Sequence, residues 1–127
     1  MTQKVRVLIV DDETELRKSV ASVLDSAMPG FTFTVSEAAN GREALEQVKA
    51  SDFDLVLMDV RMPEMDGLEA LAQIKAADPR VFVVIMTAHS NLQDAVTAIK
   101  GGAYDYVEKP VQPAELSALG VRLYADP

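Results

Sequence analysis

At 127 residues the chain has room for one domain around a single core, and 49% hydrophobic with 25% charged residues is ordinary for a soluble globular protein. It contains no cysteine, which excludes disulfides, thiolate metal sites and cysteine nucleophiles. A net charge of −8 disfavours direct nucleic-acid binding and suits a divalent cation or a basic protein surface.

Taken in order, the chain alternates short β-rich runs with segments of helical period. Residues 5–10 read as a strand, and the following helix carries Leu16, Val20, Val23 and Leu24 on one face before Pro29-Gly30 ends it. Residues 31–36 alternate apolar and polar, as an edge strand with one wetter face would. Asn40-Gly41 then precedes a helix with Ala44, Leu45 and Val48 inward. A third strand is expected at 55–59. Asp66 with Glu69 forms a capping-box pattern for a third helix, marked by Leu68, Leu71 and Ile74. The fourth strand falls at 81–87, and its helix places Leu92, Ala95, Val96 and Ile99 on one face before Gly101-Gly102 closes it. A fifth strand at 104–108 leads to a helix opened by Pro113, with Leu116, Leu119 and Leu123 inward. Gly120 should weaken that helix by about 1 kcal/mol relative to alanine.

The runs around Leu8, Val56 and Val84 are nearly continuous in apolar residues, as strands buried on both faces are. Five strand–helix alternations predict an α/β doubly wound fold with right-handed crossovers, as one domain over residues 1–127. No linker, repeat or low-complexity tract interrupts it. The longest apolar run near the start, residues 7–10, is too short for a signal peptide or a membrane span. A cytoplasmic location is the resulting expectation.

In such sheets ligands bind beyond the carboxyl ends of the strands. Asp11 and Asp12 follow the first strand, Asp59 closes the third, Thr87 ends the fourth and Lys109 follows the fifth. If the first and third strands are neighbours, all five side chains converge. Three carboxylates and one ammonium sum to −3 + 1 = −2, which one divalent cation cancels. Two like charges about 4 Å apart repel by roughly 4 kcal/mol at an effective dielectric of 20. Magnesium suits the site because it takes oxygen ligands and joins carboxylates to phosphate. Asp59 is then a nucleophile that forms an aspartyl phosphate, with Lys109 and Thr87 contacting phosphoryl oxygens. Each residue also has a plainer reading. An Asp-Asp pair is usually solvated loop, Asp12 could cap the first helix, Thr87 could simply end a strand, and Lys109 could be a solvated charge. The five together, in matching positions of successive βα units, favour the phosphoryl site.

The segments Leu8-Ile-Val-Asp-Asp12, Leu57-Met-Asp-Val-Arg-Met-Pro-Glu-Met-Asp-Gly67, Met86-Thr-Ala-His89 and Gly102-Ala-Tyr-Asp-Tyr-Val-Glu-Lys-Pro110 resemble the response-regulator receiver family of two-component signalling. The resemblance implies a flavodoxin-like five-stranded parallel sheet of order 2-1-3-4-5 with five helices. It implies a sensor histidine kinase as phosphoryl donor and Mg2+ held by Asp11, Asp12, Asp59 and the Arg61 backbone carbonyl. Asp59 is the implied acceptor, Lys109 its conserved-type lysine, and Thr87 with Tyr106 the switch pair. Arg61 and His89 fall where family members tune the phosphoryl lifetime, and Lys109-Pro110 where the peptide is usually cis. The output would pass through the face made by the fourth helix, fifth strand and fifth helix. It would reach an effector domain or target protein, with room for a phosphorylation-dependent homodimer. Such a chain promotes only its own phosphotransfer and dephosphorylation, and is otherwise no enzyme. The Met-Thr-Ala-His and Tyr-Asp-Tyr stretches look most like receivers of nitrogen-regulation-type transcriptional activators.

Some of these residues also have ordinary explanations. Tyr106 could be a surface strand tyrosine, His89 an exposed loop residue, and Met62, Met65 and Met86 simple packing. A magnesium-dependent phosphatase with an aspartyl nucleophile is the alternative function. Its two carboxylates should lie two residues apart after the first strand, whereas Asp11 and Asp12 are adjacent and Glu13 follows. A flavodoxin-like cofactor carrier would need a Gly/Ser/Thr-rich loop there, and Asp-Asp-Glu would repel its phosphate.

Overall fold

Three strands that carry buried apolar runs fill the middle of the sheet. They are β1 (Gln3–Val10), β3 (Leu55–Asp59) and β4 (Phe82–Thr87), and β2 (Phe31–Ala38) and β5 (Asp105–Glu108) form the edges. This computed structural model describes residues 3–62, 65–88 and 91–125. All pairings are parallel, in the order β2-β1-β3-β4-β5. The anticipated doubly wound sheet is therefore present, with strand ends differing from the sequence reading by two residues or fewer.

Five helices cover the sheet: α1 (Thr14–Ala27), α2 (Gly41–Ala50), α3 (Gly67–Ala77), α4 (Leu92–Lys100) and α5 (Pro113–Gly120). Alternate residues of each strand point to opposite faces, which divides the core in two. Leu8, Val10, Val56 and Met58 pack with Leu45, Val48, Leu71 and Ile74 on the side of α2, α3 and α4. Val7, Ile9, Leu57 and Val84 pack with Val20, Leu24, Leu116 and Leu119 on the side of α1 and α5.

The helix starts follow the local chemistry. Asn40 caps α2 by accepting the Glu43 amide at 2.9 Å, and Asp66 caps α3 by accepting the Glu69 amide at 2.9 Å. Asp12 does not cap α1, because Glu13 occupies that position. Its amide is satisfied by Asp11 Oδ1 at 2.9 Å. Pro113 opens α5, and Gly102 takes the left-handed backbone that follows α4, at φ 111.

The structure adds a detail on α4, whose Leu92, Ala95, Val96 and Ile99 share one face as expected. On α4 the residues buried against the sheet are Ala95 and Ala98, while Val96 and Ile99 remain 46% and 42% exposed. Two small side chains seat the helix close to the sheet and leave the larger ones on its flank. At Gly120 a Cβ would meet the terminal methyl of Met28, the far end of a flexible side chain. Ser117 Oγ donates to the Ala27 carbonyl beside it at 2.5 Å, and the chain then continues as a π-helical turn over Val121–Ala125.

Candidate functional site

The strand order reverses between β1 and β3, so the connections to α1 and α3 leave in opposite directions and open a crevice at the carboxyl edge. Register sets which residues meet there. Val10 is level with Met58 across β1 and β3, and Asp59 is level with Met86 across β3 and β4. Thr87 pairs with Glu108, and the Lys109 amide donates to the Thr87 carbonyl at 2.9 Å. The ends of four strands thus bring Asp11, Asp59, Thr87 and Lys109 to one place.

Among the described residues, the buried polar or charged ones are Asp11 at 0%, Asp59 at 6% and Thr87 at 1% exposure. Burying carboxylates is costly unless they are paired and hydrogen-bonded. Lys109 pairs both. Its Nζ lies 3.0 Å from Asp11 Oδ2 and 3.0 Å from Asp59 Oδ2. Asp11 is further held by the Glu13 amide on Oδ1, while Asp59 Oδ1 meets the Arg61 amide at 3.4 Å.

These surroundings set the ionisation. Burial pushes the Asp59 carboxyl above the usual aspartate value, and the nearby Asp11 charge adds to the rise. The hydrogen bond and charge of Lys109 offset only part of it. Burial pulls the Lys109 ammonium down, but its bonds to Asp11 and Asp59 outweigh that and leave it raised.

The carboxylates of Asp11, Asp12 and Glu13 lie within 4.8 Å of one another, the first buried and the others exposed. A buried and an exposed face of hard oxygen donors fits a divalent cation that keeps several waters. Glu13 was not among the ligands anticipated from sequence. Its proximity follows from the turn that Asp11 Oδ1 fixes, which no linear spacing displays.

Gly67 is a second residue whose part in the site was missed. A Cβ at Gly67 would overlap the Asp59 carbonyl and come within 2.8 Å of Val60 Cα. The Gly67 amide donates to the Val60 carbonyl at 2.8 Å, so the start of α3 lies directly on the backbone at the end of β3.

The remaining predicted side chains make other contacts. Thr87 Oγ is directed toward α4, 3.1 Å from the Asn91 carbonyl and 3.3 Å from that of Ala88. Arg61 is exposed, and its Nη2 lies 2.9 Å from Asp94 Oδ2 on the first turn of α4. That oxygen has no hydrogen bond of good geometry among the described residues, so the contact is chiefly one of charge. Tyr106 is 39% exposed and lines an apolar groove of about 320 Å³ with Leu92, Ala95, Val96 and Ile99. His89 lies outside the described residues. The Lys109-Pro110 peptide is cis.

Comparison with known proteins agrees with this geometry. A family model, the response regulator receiver domain, matches residues 7–119. The transcriptional regulatory protein ZraR of Escherichia coli K12 is 46% identical over 112 residues, covering 88% of this chain and 24% of that protein. The chain spans about a quarter of the length of the curated relatives it matches. The crystal structure of the receiver domain of NtrX from Brucella abortus superposes with a TM-score of 0.83 at 32% identity, covering 95% of this chain and 99% of that one. The solution structure of the beryllofluoride-activated NtrC4 receiver domain dimer gives 0.78 at 33% identity, covering 92% and 93%.

Two outcomes follow from the site. A carboxyl with a raised pKa in the folded state favours folding while protonated, and that contribution is lost as pH rises through the raised value. Asp59→Asn should therefore melt higher than the wild type at pH 7 without metal. The gap should close as pH falls through the raised value, as measured by thermal melts across pH. Gly67→Ala should cost about 1–3 kcal/mol by overpacking against backbone that cannot step aside. Denaturant unfolding measures that loss.

Proposed function

The chain belongs to the response regulator receiver domain family, and from that premise we propose that Asp59 is the residue that accepts the phosphoryl group from a phosphohistidine of a sensor histidine kinase. A phosphoryl-accepting switch of two-component signalling is the function of this family, and its relatives ZraR, NtrC and NtrX are of the nitrogen-regulation type. The observation that carries the residue assignment is the pair of buried aspartates at neighbouring strand ends, both held by Lys109.

In the proposed reaction an Asp59 carboxylate oxygen attacks phosphorus. An O–P bond forms as the N–P bond of the donor breaks, and the departing imidazole keeps the electron pair and takes a proton from solvent. Lys109 orients the attacking carboxylate and stays close enough to meet a phosphoryl oxygen. Asp11, Asp12, Asp59 and the Arg61 carbonyl would hold Mg2+, with Glu13 beside them. The ion, when bound, supplies positive charge against the phosphoryl oxygens. The family match, together with the departure of Asp11-Asp12-Glu13 from the phosphatase pattern, does not favour the phosphatase alternative.

Thr87 and Tyr106 form the proposed switch. The Thr87 hydroxyl would leave the start of α4 for a phosphoryl oxygen, and Tyr106 would turn inward from the groove it now lines. The unphosphorylated chain visits that form as a minor population, which the phosphoryl group enriches. Arg61 and His89 would tune how long the group lasts.

The reading further includes one receiver domain over residues 1–127, a cytoplasmic location and no direct contact with nucleic acid. Among the described residues no helix is long and apolar enough to cross a membrane. The α4-β5-α5 face would act on an effector domain, a target protein or a second copy of the chain. The NtrC4 receiver, whose activated form is a dimer, and the exposed Val96 and Ile99 support the last of these.

Incubation with acetyl phosphate and Mg2+ should add the mass of one phosphoryl group to the intact protein and none to Asp59→Asn. An unchanged wild-type mass beside a control receiver that gains its adduct would overturn the assignment. Beryllofluoride with Mg2+ should shift the NMR signals around Tyr106, Val96 and Ile99. Shifts confined to the acidic pocket would remove the proposed switch.

A further inference from the structure

Arg17 is unusual among the charged side chains of α1. Its side chain is 12% exposed and its guanidinium meets three acceptors. Nη1 donates to the Asp11 carbonyl at 2.6 Å, Nε to Glu37 Oε1 at 2.8 Å, and Nη2 lies 3.2 Å from Thr14 Oγ. The Asp11 carbonyl belongs to the peptide that joins Asp11 to Asp12. Its orientation therefore sets the direction in which Asp12 leaves the strand.

The other groups of Asp11 are fixed as well. Its amide donates to the Ala38 carbonyl at the end of β2, and its carboxylate takes the Glu13 amide and Lys109. Arg17 restrains the one remaining backbone group, and through Glu37 it ties that group to β2. We infer that Arg17 is a positioning residue for the acid pair: it clamps the Asp11–Asp12 peptide so that the exposed Asp12 carboxylate is aimed at the cation site before any ion arrives. This rests on the reading that Asp11 and Asp12 hold Mg2+.

Charge and position make opposite demands here. A guanidinium close to the acid pair repels a divalent cation, so charge alone predicts tighter Mg2+ binding once Arg17 is neutralised. Positioning predicts weaker binding, because supporting groups around metal ligands commonly cost tenfold or more in affinity when removed. Lysine separates the two. It keeps the charge, but a single nitrogen cannot reproduce the planar fork that reaches the Asp11 carbonyl, Glu37 and Thr14 together.

The test titrates Mg2+ into metal-free wild type, Arg17→Met and Arg17→Lys, following the amide signals of residues 11–13 by NMR in samples verified as folded. Both variants should bind about tenfold more weakly than wild type. Tighter or unchanged binding by Arg17→Met would overturn the inference. So would wild-type affinity in Arg17→Lys, which alone decides the matter should Arg17→Met fail to fold. A lower melting temperature with unchanged Mg2+ affinity would reduce Arg17 to a structural role and also overturn it. Absence of any Mg2+ response in the wild type would sink the metal assignment itself, a result readily told apart from these.

Discussion

One ammonium stands between two buried carboxylates, and the site depends on that arrangement. Asp11 and Asp59 end adjacent strands, and the packing that hides them removes most of the water that would screen their repulsion. Lys109 answers both at 3.0 Å. The balance is incomplete: two carboxylates and one ammonium give −2 + 1 = −1, with Asp12 and Glu13 adding further negative charge at the rim. A site left short of positive charge suits a divalent cation, which the proposed phosphoryl transfer requires. Burial raises the Asp59 pKa against the pull of Lys109, whereas the two carboxylates raise the Lys109 pKa against its own burial.

The scaffold serves that contact through backbone as much as through side chains. Parallel register levels the strand ends, and the reversal of order between β1 and β3 keeps their connecting loops apart. Gly67 then lets α3 rest on the carbonyl of Asp59, and the Arg17 guanidinium holds the carbonyl of Asp11. The two aspartates are thereby restrained from behind, on the main chain, while their carboxylates face the crevice. Such restraint matters for phosphoryl transfer, where positioning and charge supply most of the catalysis.

Much of this was legible in the residues. Strands buried on both faces announce themselves by unbroken apolar runs, so β1, β3 and β4 could be read as central and the alternating β2 as an edge. Asp11, Asp59, Thr87 and Lys109 stood out because each follows or ends a strand, and parallel sheets gather such positions. On α4 the period gave the shared face, but not that the residues buried against the sheet are the two alanines, because volume at a helix–sheet contact is a tertiary property. Glu13, Arg17 and Gly67 were harder for the same reason. A glutamate after two aspartates, an arginine on a helix and a glycine after a cap are ordinary until a particular turn or carbonyl is placed beside them.

The distance from the acid pocket to the groove at α4 and β5 is bridged by two modest contacts. The Thr87 hydroxyl is directed toward the Asn91 carbonyl ahead of α4, and the Arg61 guanidinium is held by charge to Asp94 on its first turn. Both donors sit on strands or loops that carry the pocket, and both acceptors belong to the start of one helix. Each contact is individually weak: one is a neutral hydrogen bond, the other an ion pair whose arginine is largely exposed. That helix is seated on the sheet by alanines, with Val96 and Ile99 already outside. Moving it would therefore uncover little apolar core. In the proposed switch, a group arriving at Asp59 would compete for Thr87 and Arg61 at the start of α4, a smaller demand than repacking either core.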